Sequence, residues 1–118
     1  MKPIDFIVAL RENVIGTLTK YYEQELNNFT PEYPPGWQLI AQWYNSLEPE
    51  QKAHFIEFIR TIQVDTISLV LGILVGKDYL NEERVEFTLM AGEEVITGDL
   101  QDIFLEIEED FLKKKLGL

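Results

Sequence analysis

The sequence contains no cysteine and a single histidine, His54, among its 118 residues. Without cysteine the chain has no disulfides, thiolate metal sites, iron–sulfur clusters or cysteine nucleophiles. This absence fits a reducing compartment, so we expect a cytoplasmic protein. The sequence also lacks a phosphate-binding glycine loop, a GxSxG nucleophile elbow and a calcium-binding loop. It therefore predicts no catalytic residue, no metal ligand set and no cofactor, and we expect a protein that is not an enzyme.

Basic residues are scarce, since ten Lys and Arg stand against 21 Asp and Glu and give a formal net charge of −11. Such a surface repels the phosphates of nucleic acids and of anionic lipids, so we expect neither as a partner. It favours basic proteins or metal cations. The segment from Glu82 to Leu112 is the most acidic, with eleven acidic residues and one basic residue, Arg84. Its simplest interpretation is a solvated face that keeps the protein soluble.

The chain also lacks an apolar run that is long enough to cross a membrane. Its most apolar stretch, Ile67–Val75, has nine residues, whereas a membrane-spanning helix needs about twenty. Near the N-terminus, Asp5, Arg11 and Glu12 interrupt the apolar pattern of a signal peptide, so we expect no export. The length and the 46% apolar composition are ordinary for one globular domain, which we expect to span residues 1–118.

Apolar residues recur at three- and four-residue steps in four segments, as amphipathic helices require. The predicted helices are Pro3–Asn28, Trp37–Asn45, Pro49–Val75 and Asp99–Lys115. A proline-rich loop, Asn27–Gly36, separates the first two. A buried strand is the alternative interpretation of Ile67–Val75 and of the "IFLEI" run in the last segment.

The third predicted helix would be about 40 Å long. Its polar and small residues step by three or four and form one stripe along one side, from Glu50 to Gly76. We expect Gly76 to terminate this helix. Ser68, Gly72 and Gly76 follow a small-xxx-small pattern, which predicts either a tight contact with a neighbouring element or the seam of a homodimer.

An alternating pattern follows the long helix. In "VEFTLM", Val85–Met90, apolar and polar residues alternate, and a turn at Ala91-Gly92-Glu93 leads to a second short run, Val95–Thr97. This pattern predicts a β-hairpin. We therefore expect an α+β fold that is mostly helical, with about four helices, one of them long and buried, and a β-hairpin in the C-terminal half.

Two clusters have alternative interpretations as ligand sites. Trp37 and Trp43 lie at helical spacing, which is typical of a core, but they could instead line a ligand pocket. Glu50, His54 and Glu57 share one helical face, and carboxylates from another helix could complete a metal site around them. An exposed polar face is the simpler interpretation of the second cluster.

The run from Trp43 to Asp110 resembles small uncharacterised bacterial proteins. The shared features are a "SLxPEQ" helix start, a long helix ending in glycine and a late acidic "DLxDxF" segment, here "SLEPEQ" and "DLQDIF". Some small acidic bacterial proteins of this kind are immunity proteins that block a toxin. The resemblance therefore implies inhibition of a protein partner rather than catalysis.

The leading hypothesis from the sequence is an interaction module of the immunity or inhibitor type that binds a basic protein. The candidate binding residues are acidic positions that leave the apolar side of the last helix free for the core. They are Asp99, Asp102, Glu106, Glu109 and Asp110. The alternatives are a structural homodimer packed through the long helix near Gly72 and, third, a carboxylate and histidine metal-binding protein.

Overall fold

A computed structural model describes residues 1–118. In chain order the elements are α1 (Pro3–Leu10), a π-helical segment (Arg11–Gly16), α2 (Thr17–Asn27), α3 (Pro35–Asn45), α4 (Pro49–Leu74), β1 (Met90–Ala91), β2 (Glu94–Val95) and α5 (Leu100–Leu116). Because α1, the π-helical segment and α2 follow one another without a break, they form one helix. The predicted α+β fold, with four helices and a hairpin in the C-terminal half, is confirmed.

The first helix begins at Pro3, whose fixed backbone angle suits a first helical position. The backbone N–H of Lys2 donates a hydrogen bond to the Asp5 carboxylate (3.0 Å) and closes this end. In the π-helical segment each turn holds more residues than an α-helical turn. Thr17 follows this segment, and its hydroxyl donates to the carbonyl of Glu12, five residues earlier (3.2 Å). The spacing of apolar residues did not predict this widened turn.

The long helix α4 begins at Pro49 and ends at Leu74, so the helical interpretation of Ile67–Val75 is confirmed and the strand alternative is wrong. Gly76 terminates it as predicted, with φ at +78°. The N–H of Lys77 bonds the carbonyl of Gly72 (2.9 Å) and the N–H of Gly76 bonds that of Ile73 (3.1 Å). These two bonds define a Schellman motif, which satisfies carbonyls that a helix end leaves open.

Burial of α4 is confined to one side. Ile56, Val64 and Leu71 are buried, whereas Phe58 and Leu69 are more than half exposed. The steps of eight and seven residues between the buried positions place them on one face of the helix. The expectation of a buried helix therefore holds for that face alone, and α4 is amphipathic.

The β-hairpin is shorter than predicted. Only Met90–Ala91 pairs with Glu94–Val95, and residues 84–89 have no regular secondary structure. The turn has two residues, and Gly92 occupies its first position with φ at +63°, as a type II′ turn prefers. The returning strand has few residues because α5 begins at Leu100. Residues 85–88 consequently have no partner strand of sufficient length, although their side-chain pattern alternates.

The chain divides into two compact units, Met1–Arg11 with Val64–Leu118 and Glu12–Gln63. The expectation of a single domain from 1 to 118 stays a prediction. In the first unit α1 packs against α5, and the buried residues include Ile7, Leu71, Ile96, Leu100 and Phe104. In the second unit α2 packs against α3 around a core of Leu26, Ala41, Tyr44 and Ile56.

No helix combines the length and the apolar character that a membrane crossing requires.

Candidate functional site

The last helix, α5, has a buried side and an acidic side. Leu100, Phe104 and Glu108 are buried and follow one another at four-residue steps, so they mark the side that faces the interior of the first unit. Leu100 and Phe104 are 0% exposed. This anchoring fixes the rotation of α5 about its own axis, and the rotation determines which side chains point to solvent.

The five acidic residues predicted from the sequence all lie on the solvent side of α5 or at its N-terminus. At about 100° per residue they fall within an arc of about 100°, opposite the buried side. All five are exposed, and we call this set the acidic face: Asp99, Asp102, Glu106, Glu109 and Asp110.

Two residues of the acidic face already have cationic partners in the chain. Lys77 Nζ lies 2.5 Å from Asp102 Oδ1, and Lys113 Nζ lies 3.0 Å from Glu109 Oε1. The hydrogen bond and the negative charge of Glu109 raise the pKa of Lys113 above its ordinary value. Both pairs are about half exposed, so they are weak and can be exchanged for other partners.

The other three residues of the acidic face, Asp99, Glu106 and Asp110, form no salt bridge. Their spacing of seven and four residues aligns them in one row along the helix. Asp99 stands at the N-cap position of α5, but its side chain makes no capping hydrogen bond. Its backbone, with ψ at 35°, lies outside the extended region that an N-cap side chain needs to reach back to the helix. The Asp99 carboxylate therefore stays available to a partner.

A buried ion pair connects α5 with Arg11, the residue that directly follows α1. Arg11 Nη2 lies 3.6 Å from Glu108 Oε1, and the side chains are only 12% and 7% exposed. The Arg11 guanidinium also lies 5.7 Å from the ring centre of Phe104 and 5.6 Å from that of Phe111. These contacts hold the buried side of α5, which keeps the acidic face turned to solvent.

The predicted small-residue row, Ser68, Gly72 and Gly76, lies near the start of α5 in the first unit. The side-chain amide of Gln101 donates to the carbonyl of Ser68 (2.9 Å). A Cβ at Gly72 would overlap the carboxylate of Asp78 and lie 2.6 Å from Gln101 Nε2. Gly72 is thus in tight contact with its own chain, whereas no atom lies within 4 Å of an added Cβ at Gly76.

The residues of the suggested metal site, Glu50, His54 and Glu57, are all exposed on α4. The structure brings no group of three or more His, Asp or Glu side chains into an arrangement that could hold a metal ion. The geometry therefore gives the metal-binding alternative no support.

No protein-family model, curated protein or solved structure matches this chain. The resemblance to immunity proteins therefore stays a prediction.

Two features of the structure were not identified from the sequence. The first is the pairing of Arg11 with Glu108, for which the only signal is that Glu108 lies at the four-residue step that follows Leu100 and Phe104. The second is an apolar pocket in the second unit, lined by Trp37 but not by Trp43. The helical spacing of Trp37 and Trp43 was compatible with either a core or a ligand pocket. Spacing alone could not show which of the two rings lines a pocket.

Proposed function

We propose that this protein is a binding module whose acidic face attaches to a basic protein partner. The observation that carries the proposal is the row formed by Asp99, Glu106 and Asp110, which is exposed, without salt bridges and opposite the anchored side of α5. A row of carboxylates that form no salt bridge creates a negative potential that attracts a positively charged surface. An inhibitor of the immunity type is one kind of protein that uses such a surface.

Apolar side chains next to the acidic face define the partner's chemistry further. Leu105 is 44% exposed, Leu112 is 38% exposed, and both lie on the solvent side of α5 between the acidic face and the buried side. Stable interfaces combine an apolar centre with a charged or polar rim. The expected partner therefore presents Lys or Arg side chains around an apolar contact, as one face of an amphipathic helix does.

The homodimer alternative receives no specific support. It requires a second chain to approach the face of α4 at Gly72, and that position is already in tight contact with Asp78 and Gln101 of the same chain. A second helix at this position would have to displace both side chains.

Affinity capture with two matched variants tests the proposed function. The first variant, Asp99→Asn/Glu106→Gln/Asp110→Asn, removes three charges from the acidic face. The second, Glu23→Gln/Glu32→Gln/Glu48→Gln, removes three charges from exposed positions of the other unit. Both variants change the net charge equally. A difference in the amount of partner that they retain therefore shows that the position of the charges matters, not only their number. Each protein is immobilised, exposed to extract of its native cell at low salt and washed with a salt gradient.

We expect the wild type and the second variant to retain the same basic protein and to release it as the salt concentration rises, because exposed charges are screened within about 10 Å at 0.1 M salt. The first variant should retain much less of it. The proposal is wrong if the wild type retains no basic protein, or if both variants retain it equally.

A further inference from the structure

A pocket of about 420 Å³ lies within the second unit, between α2, α3 and the first half of α4. Its lining is aliphatic and aromatic apart from Gly36 and Gln63, and no charged side chain contributes to it. Pockets that bind small molecules have volumes of about 300–1,000 Å³ and combine an apolar lining with a few polar groups. Both the size and the composition of this pocket fit that description.

Aromatic side chains form one wall of the pocket. The rings of Tyr22 and Trp37 stack with their centres 5.5 Å apart and their planes at 21°. Phe55 lines the pocket from α4, while Ile40 and Ile62 are 46% and 49% exposed and leave it open to solvent. A flat ring entering through this opening would meet aromatic faces and aliphatic side chains. Such surroundings favour an aromatic or alicyclic molecule.

Gln63 supplies a hydrogen-bond donor without a partner. Its Oε1 accepts a hydrogen bond from the hydroxyl of Thr19 (3.1 Å). Its Nε2 is buried and makes no hydrogen bond within the chain. A buried N–H without an acceptor is unfavourable, so the Gln63 side chain, which lines the pocket, would gain stability by turning its N–H toward an acceptor on a bound molecule.

We infer that this pocket binds a small neutral aromatic or alicyclic molecule whose carbonyl or ether oxygen accepts a hydrogen bond from Gln63 Nε2. Neutrality follows from the lining, because a charged ligand would lose its hydration without finding an opposite charge. The inference concerns the second unit and does not depend on the acidic face.

Two neighbouring residues of α3 provide a matched test of the pocket's location. Ile40 lines the pocket, whereas Leu39 is 71% exposed and does not. The neutral fluorescent probe N-phenyl-1-naphthylamine is titrated into the wild type, Ile40→Asp and Leu39→Asp, and circular dichroism confirms that each protein is folded. The wild type and Leu39→Asp should increase the probe's fluorescence with similar affinity. Ile40→Asp should bind it about tenfold more weakly, because its carboxylate would lose hydration at the pocket.

If the wild type does not bind the probe, or if both aspartate variants weaken binding equally, the pocket is not a small-molecule site. Equal weakening by both aspartate variants is what weak nonspecific adsorption to exposed apolar side chains would produce.

A pair of probes with the same shape tests the role of Gln63. Acetophenone and α-methylstyrene differ only in that a C=O group replaces a C=CH₂ group. Nuclear magnetic resonance titrations follow the side-chain amide of Gln63 and the indole N–H of Trp37 in the wild type, and the indole alone in Gln63→Leu. The substitution should weaken acetophenone binding about three- to tenfold, as expected for one lost hydrogen bond. It should leave α-methylstyrene unchanged or bound more tightly. If the affinities of both probes change by the same factor, Gln63 does not donate to the ligand and the inference is wrong.

Discussion

At the scale of single residues, Gly76 and Glu82 occupy the same left-handed region of backbone space, with φ at +78° and +66°. Glycine enters this region without steric cost, whereas a residue with a Cβ is disfavoured there by about 1–2 kcal/mol. Glu82 follows Asn81, which also has a positive φ, and the two form a tight turn closed by mutual hydrogen bonds between Leu80 and Glu83. A type I′ turn prefers Asn-Gly at these two positions.

Substitution of Gly76 by alanine should lower the free energy of unfolding by about 1 kcal/mol through backbone strain. No atom lies within 4 Å of the added Cβ, so a clash contributes nothing. Gly36→Ala is the matched control, because its added Cβ is also unobstructed but its backbone lies within α3 with a negative φ. Urea denaturation should show destabilisation for Gly76→Ala only. Equal effects at both sites would mean that Gly76 does not adopt the left-handed conformation.

Substitution of Glu82 by glycine should have the opposite sign. The turn loses the strain of a Cβ at positive φ, and part of this gain is offset by the greater freedom of glycine in the unfolded chain. We expect the free energy of unfolding to rise by about 0.5–1 kcal/mol, measured in the same urea titration. A loss of stability would contradict the turn geometry.

At the scale of elements, the ion pair between Arg11 and Glu108 ties α5 to the segment that follows α1. Arg11→Met should destabilise the protein by about 3 kcal/mol, because the buried Glu108 carboxylate loses its cation. The double variant Arg11→Met/Glu108→Leu should recover much of this loss, since apolar residues can replace a buried ion pair with little net change. Thermal and urea unfolding of the single and double variants measure this coupling.

The control for this pair is on the same helix. Lys113→Met breaks the exposed pair with Glu109, whose side chain is 65% exposed, and should leave the free energy of unfolding almost unchanged. If the double variant loses as much stability as the sum of the single variants, the Arg11 and Glu108 side chains do not interact.

The helices, the π-helical segment and the hairpin differ in how well the sequence predicted them. The helices could be predicted because one-sided burial imposes a repeat of three and four residues, and the Pro3, Pro49 and Gly76 positions mark their ends. The π-helical segment could not be predicted, because it changes the number of residues per turn without changing which residue types are apolar. The hairpin was predicted too long because strand length depends on the pairing partner, which a local pattern does not contain.

The sequence predicted where the acidic face lies on α5. It did not predict which residues of α5 form ion pairs with other parts of the chain. The acidic face follows from the spacing of carboxylates relative to Leu100 and Phe104 along one helix. The contact between Lys77 and Asp102 joins residues 25 positions apart, and the burial of Glu108 depends on Arg11, almost a hundred residues away. Such contacts depend on tertiary structure, so periodicity within one helix cannot identify them.

At the scale of the whole molecule, a net charge of −11 raises the local concentration of basic proteins and repels acidic ones. A uniform charge would accelerate every encounter without selecting an orientation. The row of Asp99, Glu106 and Asp110 concentrates unpaired charge on one side of α5, so it should orient the approaching partner. Leu105 and Leu112 would then form the apolar contact once the proteins have met.

We propose that the charge of the acidic face drives association with a basic partner. Stopped-flow measurement of the association rate constant between the captured partner and each charge variant tests it most directly. At low salt the variant lacking Asp99, Glu106 and Asp110 should associate at least about tenfold more slowly than the variant lacking Glu23, Glu32 and Glu48, and the two rates should converge at about 0.5 M salt. Equal association rates for the two variants at low salt would contradict the claim.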